Sequence, residues 1–324
     1  MKSKKIIYIL ISLLLIFSLS LCVSCSVGKD DSRSQNQSAL KDDKPSIVCT
    51  SYAAYDWVNN ILGDESENWQ VIRLNNNGAD MHSYQPSAKD IAAITQCDIL
   101  IYTGGLSEEW LSKLTDDESD FKGQVYSLIE ATDEEGHDHS HDGEVCQLDE
   151  HVWLSPKNAA QFCQELVQII SQADPSHEET YKSNGRQYAE KLYTLDQSYQ
   201  DVINSCENNT LIFADRFPFH YLIEDYGLSY YAAFPGCSAE TEASFDTIIS
   251  LAEKLNRLDI HALIITEHSS DSIARSIINT AGRDDVKIYE MNSLQSVSDD
   301  DVKDGITYLG VMEANLNVIQ QALE

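Results

Sequence analysis

Residues 47–102 read IVCTSYAAYDWVNNILGDESENWQVIRLNNNGADMHSYQPSAKDIAAITQCDILIY. Short apolar, β-branched runs at 47–51, 71–74 and 99–102 have the length and composition of buried strands, and helical patterns at 52–62 and 87–95 separate them. Strand and helix in alternation predict a parallel sheet wrapped by helices. A second series starts at 211–213 and continues through 230–232, 262–266 and 286–289, again with helical segments between. The reading is an α/β protein of two Rossmann-like lobes with parallel sheets. Between the lobes, 159–171 and 178–206 read as helices, broken at Asp174-Pro175. Tyr188, Leu192, Leu195, Tyr199 and Val202 follow one another at spacings of four, three, four and three, which lines them up on one face. A helix over 178–206 would be roughly 43 Å long at 1.5 Å per residue. It is expected to join the lobes rigidly and to disfavour hinge closure.

Outward from this frame, the chain has 324 residues, 42% hydrophobic and 23% charged, enough for more than one core and incompatible with a fibrous or disordered chain. Lys2, Lys4 and Lys5 precede an apolar run at 6–23, an export signal. Val23, Ser24 and Cys25 resemble the end of a bacterial lipoprotein signal, so Cys25 is the expected lipidation site and the protein is placed on the extracytoplasmic face of the cell membrane. The expected organisation is a lipoprotein signal peptide (1–25), a disordered tether (26–46), an N-terminal lobe (47–158), an interlobe helical segment (159–206) and a C-terminal lobe (207–324). Lys and Arg number 22 against 53 Asp and Glu, a formal charge of −31, and about −34 without the leader's three lysines. Such a polyanion is unsuited to nucleic acid.

The ligand chemistry lies in nine histidines. Residues 134–144 read EEGHDHSHDGE, in which His137, His139 and His141 alternate with acids and hydroxyls between two glycines. Imidazoles in such a tract can collect borderline cations without a packed core. His82 lies in a loop between a strand and a helix, where strand ends face the cleft of an α/β lobe. His151 follows the His-rich segment and precedes the helical region. A metal site using both is the expectation. The cysteines at 49, 97 and 163 sit in apolar runs and read as buried small hydrophobes, and the spacing of all eight suggests no disulfide framework.

With these segments the mature chain resembles the zinc and manganese solute-binding lipoproteins of ABC transporters. GADMHSYQPS (78–87) and DEHVWLSP (149–156) are similar to that family's first two ligand motifs, and 224–244 and 293–323 are similar to further segments of it. The resemblance implies Zn²⁺ as cargo ahead of Mn²⁺, because the His-rich insertion marks the zinc branch. It also implies an ABC permease as partner and a monomer held at the membrane by its lipid. The family's third and fourth ligands fall on Ala214 and Asn292, which are unsuited to zinc. Cys237 and Glu267 are expected to substitute, each following an expected strand, with Asp215 and His220 as further candidates. An enzyme is not expected: HExxH, GxSxG, a Walker loop and GxGxxG are absent, and Glu150 beside His151 is the nearest approach to a zinc-hydrolase pair. A manganese-binding homologue and a metal-binding surface adhesin are the alternative readings.

Overall fold

Two copies of one strand order carry the structure. In the computed structural model, which describes residues 44–115, 121–132, 149–234, 236 and 243–324, β1 (Ser46–Cys49), β2 (Gln70–Arg73), β3 (Ile99–Tyr102) and β4 (Gln124–Ser127) pair in parallel in the order β2-β1-β3-β4. The second sheet joins β5 (Thr210–Phe213), β6 (Ser229–Ala232), β7 (Ala262–Thr266) and β8 (Lys287–Met291) in the order β6-β5-β7-β8, also parallel. Every residue of β1 and β7 is buried. This is why both read as unbroken apolar runs: a central parallel strand is covered on both faces. In the first sheet Val48 pairs with Ile72 on one side and Leu100 on the other.

Most of the helices form where the sequence places apolar residues behind a capping side chain. Ser51 caps α1 (Tyr52–Leu62) by accepting the Ala54 N–H, and Ser87 with Asp90 closes a reciprocal capping box on α2 (Ala88–Gln96). Then follow α3 (Pro156–Ala173) and the 28-residue α4 (Glu178–Ser205). The second half adds α5 (His220–Asp225), α6 (Phe245–Arg257), α7 (Ser272–Ala281), α8 (Asp299–Lys303) and α9 (Tyr308–Leu323).

The expected apolar face of α4 is the packed face: Tyr188, Leu192, Leu195 and Tyr199 are buried and Val202 packs at its edge. It belongs to a core that runs without interruption from Ile47 on β1 to Leu323 at the end of α9. Trp57 on α1 meets Phe162 on α3 at 5.7 Å and Tyr308 on α9 at 5.2 Å between ring centroids. Hydrogen bonds tie the halves further, from Tyr52 Oη to the Ile306 carbonyl (2.7 Å), from Arg73 to the Val297 carbonyl (2.9 Å) and from Trp153 Nε1 to the Ser293 carbonyl (2.9 Å). Buried polar atoms satisfied across the boundary fix one relative arrangement of the halves.

Strand β4 does not stand out in the sequence. It is an edge strand whose Gln124 and Val125 are exposed, so it lacks the apolar run that marks the central strands. Cys49, Cys97 and Cys163 are buried, as their apolar context indicates, and burial holds all three thiols above their ordinary range, that of Cys97 at about 12. Among the described residues no helix is long and apolar enough to cross a membrane. The signal peptide, Cys25 and most of the tether lie outside the described residues.

Candidate metal centre

Strand ends on the same side of each sheet supply the loops of the site, the usual ligand-bearing edge of parallel α/β sheets. On the first half two short turns each present a histidine, and each is fixed by an aspartate two positions earlier. Asp80 Oδ1 accepts the His82 N–H at 2.9 Å, capping the turn Met81–Ser83. Asp149 Oδ1 accepts the His151 N–H at 2.8 Å, just before the turn Val152–Leu154. The Asp-X-His repeat is therefore a structural device: a short acid that closes an Asx turn and fixes the backbone at the histidine.

The rings converge. His82 Nε2 and His151 Nε2 are 3.2 Å apart, with ring centroids at 5.2 Å and an interplanar angle of 60°. His151 is 2% exposed and packs edge-on against Trp153. Its Nδ1 lies 2.6 Å from Asp149 Oδ1, which accepts the Nδ1 proton and leaves the Nε2 lone pair facing His82. Burial works to raise the Asp149 carboxyl, but the His151 ring and N–H hold it below its ordinary value. His82 Nδ1 lies 2.7 Å from the Ser107 hydroxyl and 3.7 Å from Glu150 Oε2.

Two ring nitrogens at this separation fit a metal between them. Nitrogens about 2.0–2.1 Å from a tetrahedral Zn²⁺ lie roughly 3.3–3.4 Å from each other. Two imidazoles with carboxylate or hydroxyl partners on Nδ1 also have the second support typical of metal-binding histidines.

The second half brings different chemistry to the cleft. Ala214 is fully buried in the sheet core and its N–H donates to the Ile264 carbonyl at 2.7 Å. Asn292 turns its side-chain oxygen to the Leu294 N–H (2.8 Å), which closes the bend after β8. Asp215, a candidate ligand, uses Oδ2 to accept from Thr266 N (3.0 Å) and Oγ1 (2.6 Å), binding the end of β5 to the end of β7. Glu267 is in the cleft wall, and Ser293 occupies both of its oxygens, by the N–H at 2.8 Å and the hydroxyl at 2.6 Å. Burial raises its carboxyl, with the Ser293 bonds opposing. His220 packs beside Tyr221 and reaches Glu224 at 3.4 Å.

Arg216, which no sequence motif marks, reaches across the cleft. Its Nη1 is 2.8 Å from Asp80 Oδ2. Asp80, Arg216, Thr266, Glu267 and Ser293 line a space of about 10 Å³, room for a single water. Despite partial burial, this guanidinium and the His82 N–H hold the Asp80 carboxyl below its ordinary value. Among the described residues no three His, Cys, Asp or Glu side chains converge on one metal position. Cys237, His137, His139 and His141 lie outside the described residues.

Residues 47–322 match the family described as ZnuA, zinc-uptake complex component A, periplasmic. The zinc-binding lipoprotein AdcA of Streptococcus pneumoniae strain R6 is 32% identical over 329 residues, an alignment covering 99% of this chain and 61% of that protein. The chain thus spans about three fifths of the length of that relative. The high-affinity zinc uptake system protein ZnuA of Bacillus subtilis strain 168 is 26% identical over 95% of this chain and 97% of its own. Among solved structures, the Zn(II)-bound ZnuA-like domain of S. pneumoniae AdcA superposes with a TM-score of 0.70 at 30% identity, covering 87% of this chain and 99% of that domain. The family match across both sheets, with the 32% identity over nearly the whole chain, establishes that the chain belongs to the zinc-uptake complex component A family.

Proposed function

We propose that this protein captures Zn²⁺ outside the cytoplasm and delivers it to an ABC permease, with His82 and His151 as the ligands of the first half. The observation that carries this reading is the 3.2 Å separation of their Nε2 atoms, which is close to an edge of a zinc tetrahedron. The metal is cargo, and the protein's own chemistry is to hold it and let it go. Asp149 keeps the His151 proton on Nδ1, so Nε2 is ready to bind without a prior proton shift. Binding requires both imidazoles neutral and both turns in place. A permease that distorts either turn therefore weakens the site.

Cys237 is proposed as a donor from the second half. The residue before it, Gly236, accepts the Phe217 N–H at 2.8 Å. That bond brings the chain next to Arg216, whose side chain crosses to Asp80. The tract containing His137, His139 and His141 is proposed to gather zinc for the cleft, and Cys25 to carry the lipid that keeps the protein at the membrane. Zinc titration of metal-stripped protein by calorimetry tests the reading. One tight site per chain, lost in His82→Ala and in His151→Ala, is expected. Weak, nonsaturating binding by the unaltered protein would refute it.

A further inference from the structure

Each histidine N–H is held by an aspartate two residues earlier, but what holds the ring differs. Asp149 serves both the N–H and the Nδ1 of His151. Asp80 serves only the N–H of His82, because its other oxygen is taken by Arg216. The His82 ring must find its anion elsewhere.

We propose that Glu150 is the positioning residue for His82, doing for that ring what Asp149 does for its neighbour. This rests on the reading of His82 as a zinc ligand. Glu150 is 7% exposed. Its Oε1 accepts the Ser107 N–H at 2.8 Å, which anchors the carboxylate. Its Oε2 is buried, has no hydrogen-bond partner among the described residues and points toward His82 Nδ1 at 3.7 Å. A buried acceptor without a donor is costly, so this oxygen has reason to take one. The Ser107 hydroxyl, 2.7 Å from His82 Nδ1, sits beside the same pair.

The seat for Glu150 is built into the backbone. Gly105 has φ +80°, and a Cβ there would come within 2.6 Å of Glu150 Cγ and 2.7 Å of Oε1. A residue with a side chain would push the carboxylate off its anchor. Zinc on Nε2 draws electron density from the ring and strengthens Nδ1–H as a donor, so the carboxylate behind the ring interacts more strongly with the loaded state than with the empty one. Asp149 and Glu150, adjacent in sequence, thus serve the two rings of one site.

The test compares Glu150→Gln and Ser107→Ala with the unaltered protein, by competitive zinc titration and by ¹⁵N NMR of the histidine rings. Gln keeps the shape and an acceptor for the Ser107 N–H while removing the charge. Zinc binding weakened at least ten-fold in Glu150→Gln is expected. The His82 ring signals should shift while those of His151 stay, the melting temperature should hold, and Ser107→Ala should cost less. Glu150→Gln binding within two-fold of the unaltered protein would overturn the proposal, as would a larger loss in Ser107→Ala. If the unaltered protein has no tight site dependent on His82, the zinc reading itself fails. That outcome is read from a different sample.

Discussion

Arg216 Nη1 stands 2.8 Å from Asp80 Oδ2, so the second half reaches the His82 turn with a guanidinium. The side chains are 31% and 23% exposed, and Asp80 uses its other oxygen to cap the turn. The pair therefore joins the two halves at the ligand-bearing loop. We expect Asp80→Asn and Arg216→Gln each to lower the unfolding free energy by about 1 kcal/mol, and the double variant to lose less than the sum. Urea denaturation of the four proteins checks this. Strict additivity would mean that the pair contributes no coupling.

Glu108 gives the protein a pH dependence of its own. Burial, partly offset by hydrogen bonds from Thr50, Gly104 and Thr103 and reinforced by the charge of Glu150, pushes its carboxyl from 4.5 up to about 7. Between those values the folded protein keeps a proton that the unfolded chain has released, so this group removes stability as pH rises through that window. At roughly 1.4 kcal/mol per unit the loss is on the order of 3 kcal/mol. Glu108→Gln should flatten the stability profile between pH 5 and 8 and gain most at the alkaline end, measured by denaturation at each pH. An unchanged slope would contradict the assignment.

Gly185 packs α4 against Val167 of α3. A Cβ at this position would lie 2.2 Å from Val167 Cγ2, on a β-branched side chain with little rotamer freedom. Gly185→Ala should destabilise by about 1–3 kcal/mol through overpacking, against the gain of up to about 1 kcal/mol normally given by Ala in a helix. Thermal melts decide the sign, and a stabilised variant would show that the two helices can move apart at little cost.

Cys237 can be tested without its geometry. A zinc-bound thiolate should resist alkylation until a chelator is added, and Cys237→Ser should weaken zinc binding by at least ten-fold, since zinc favours sulfur with nitrogen. Equal alkylation with and without zinc, or unchanged affinity in the serine variant, would leave the remaining positions to water or to other donors.

What could be read from sequence follows burial. β1, β3 and β7 are covered on both faces and announce themselves as apolar runs, and α4 shows its packed stripe in the spacing of Tyr188, Leu192, Leu195 and Tyr199. β4 is a half-exposed edge and carries no such mark. His82 and His151 were legible as a pair because each lies in a distinctive motif. The role of Arg216 was not, since an arginine three residues past a strand has no periodicity and acquires its meaning only from Asp80, 136 positions away. Asp215 read as a candidate ligand because it neighbours a family ligand position, but its carboxylate closes the sheet instead. The Asp-X-His repeat could have been seen: an acid two residues before each histidine is a local signal, and it identifies the residues that fix the backbone at both histidines.

Diffraction at the zinc absorption edge from crystals grown with Zn²⁺ bears most directly on the central claim. One strong anomalous peak is expected between the rings, about 2.0–2.1 Å from Nε2 of both His82 and His151. A tightly bound zinc elsewhere, with both Nε2 atoms unliganded, would contradict it.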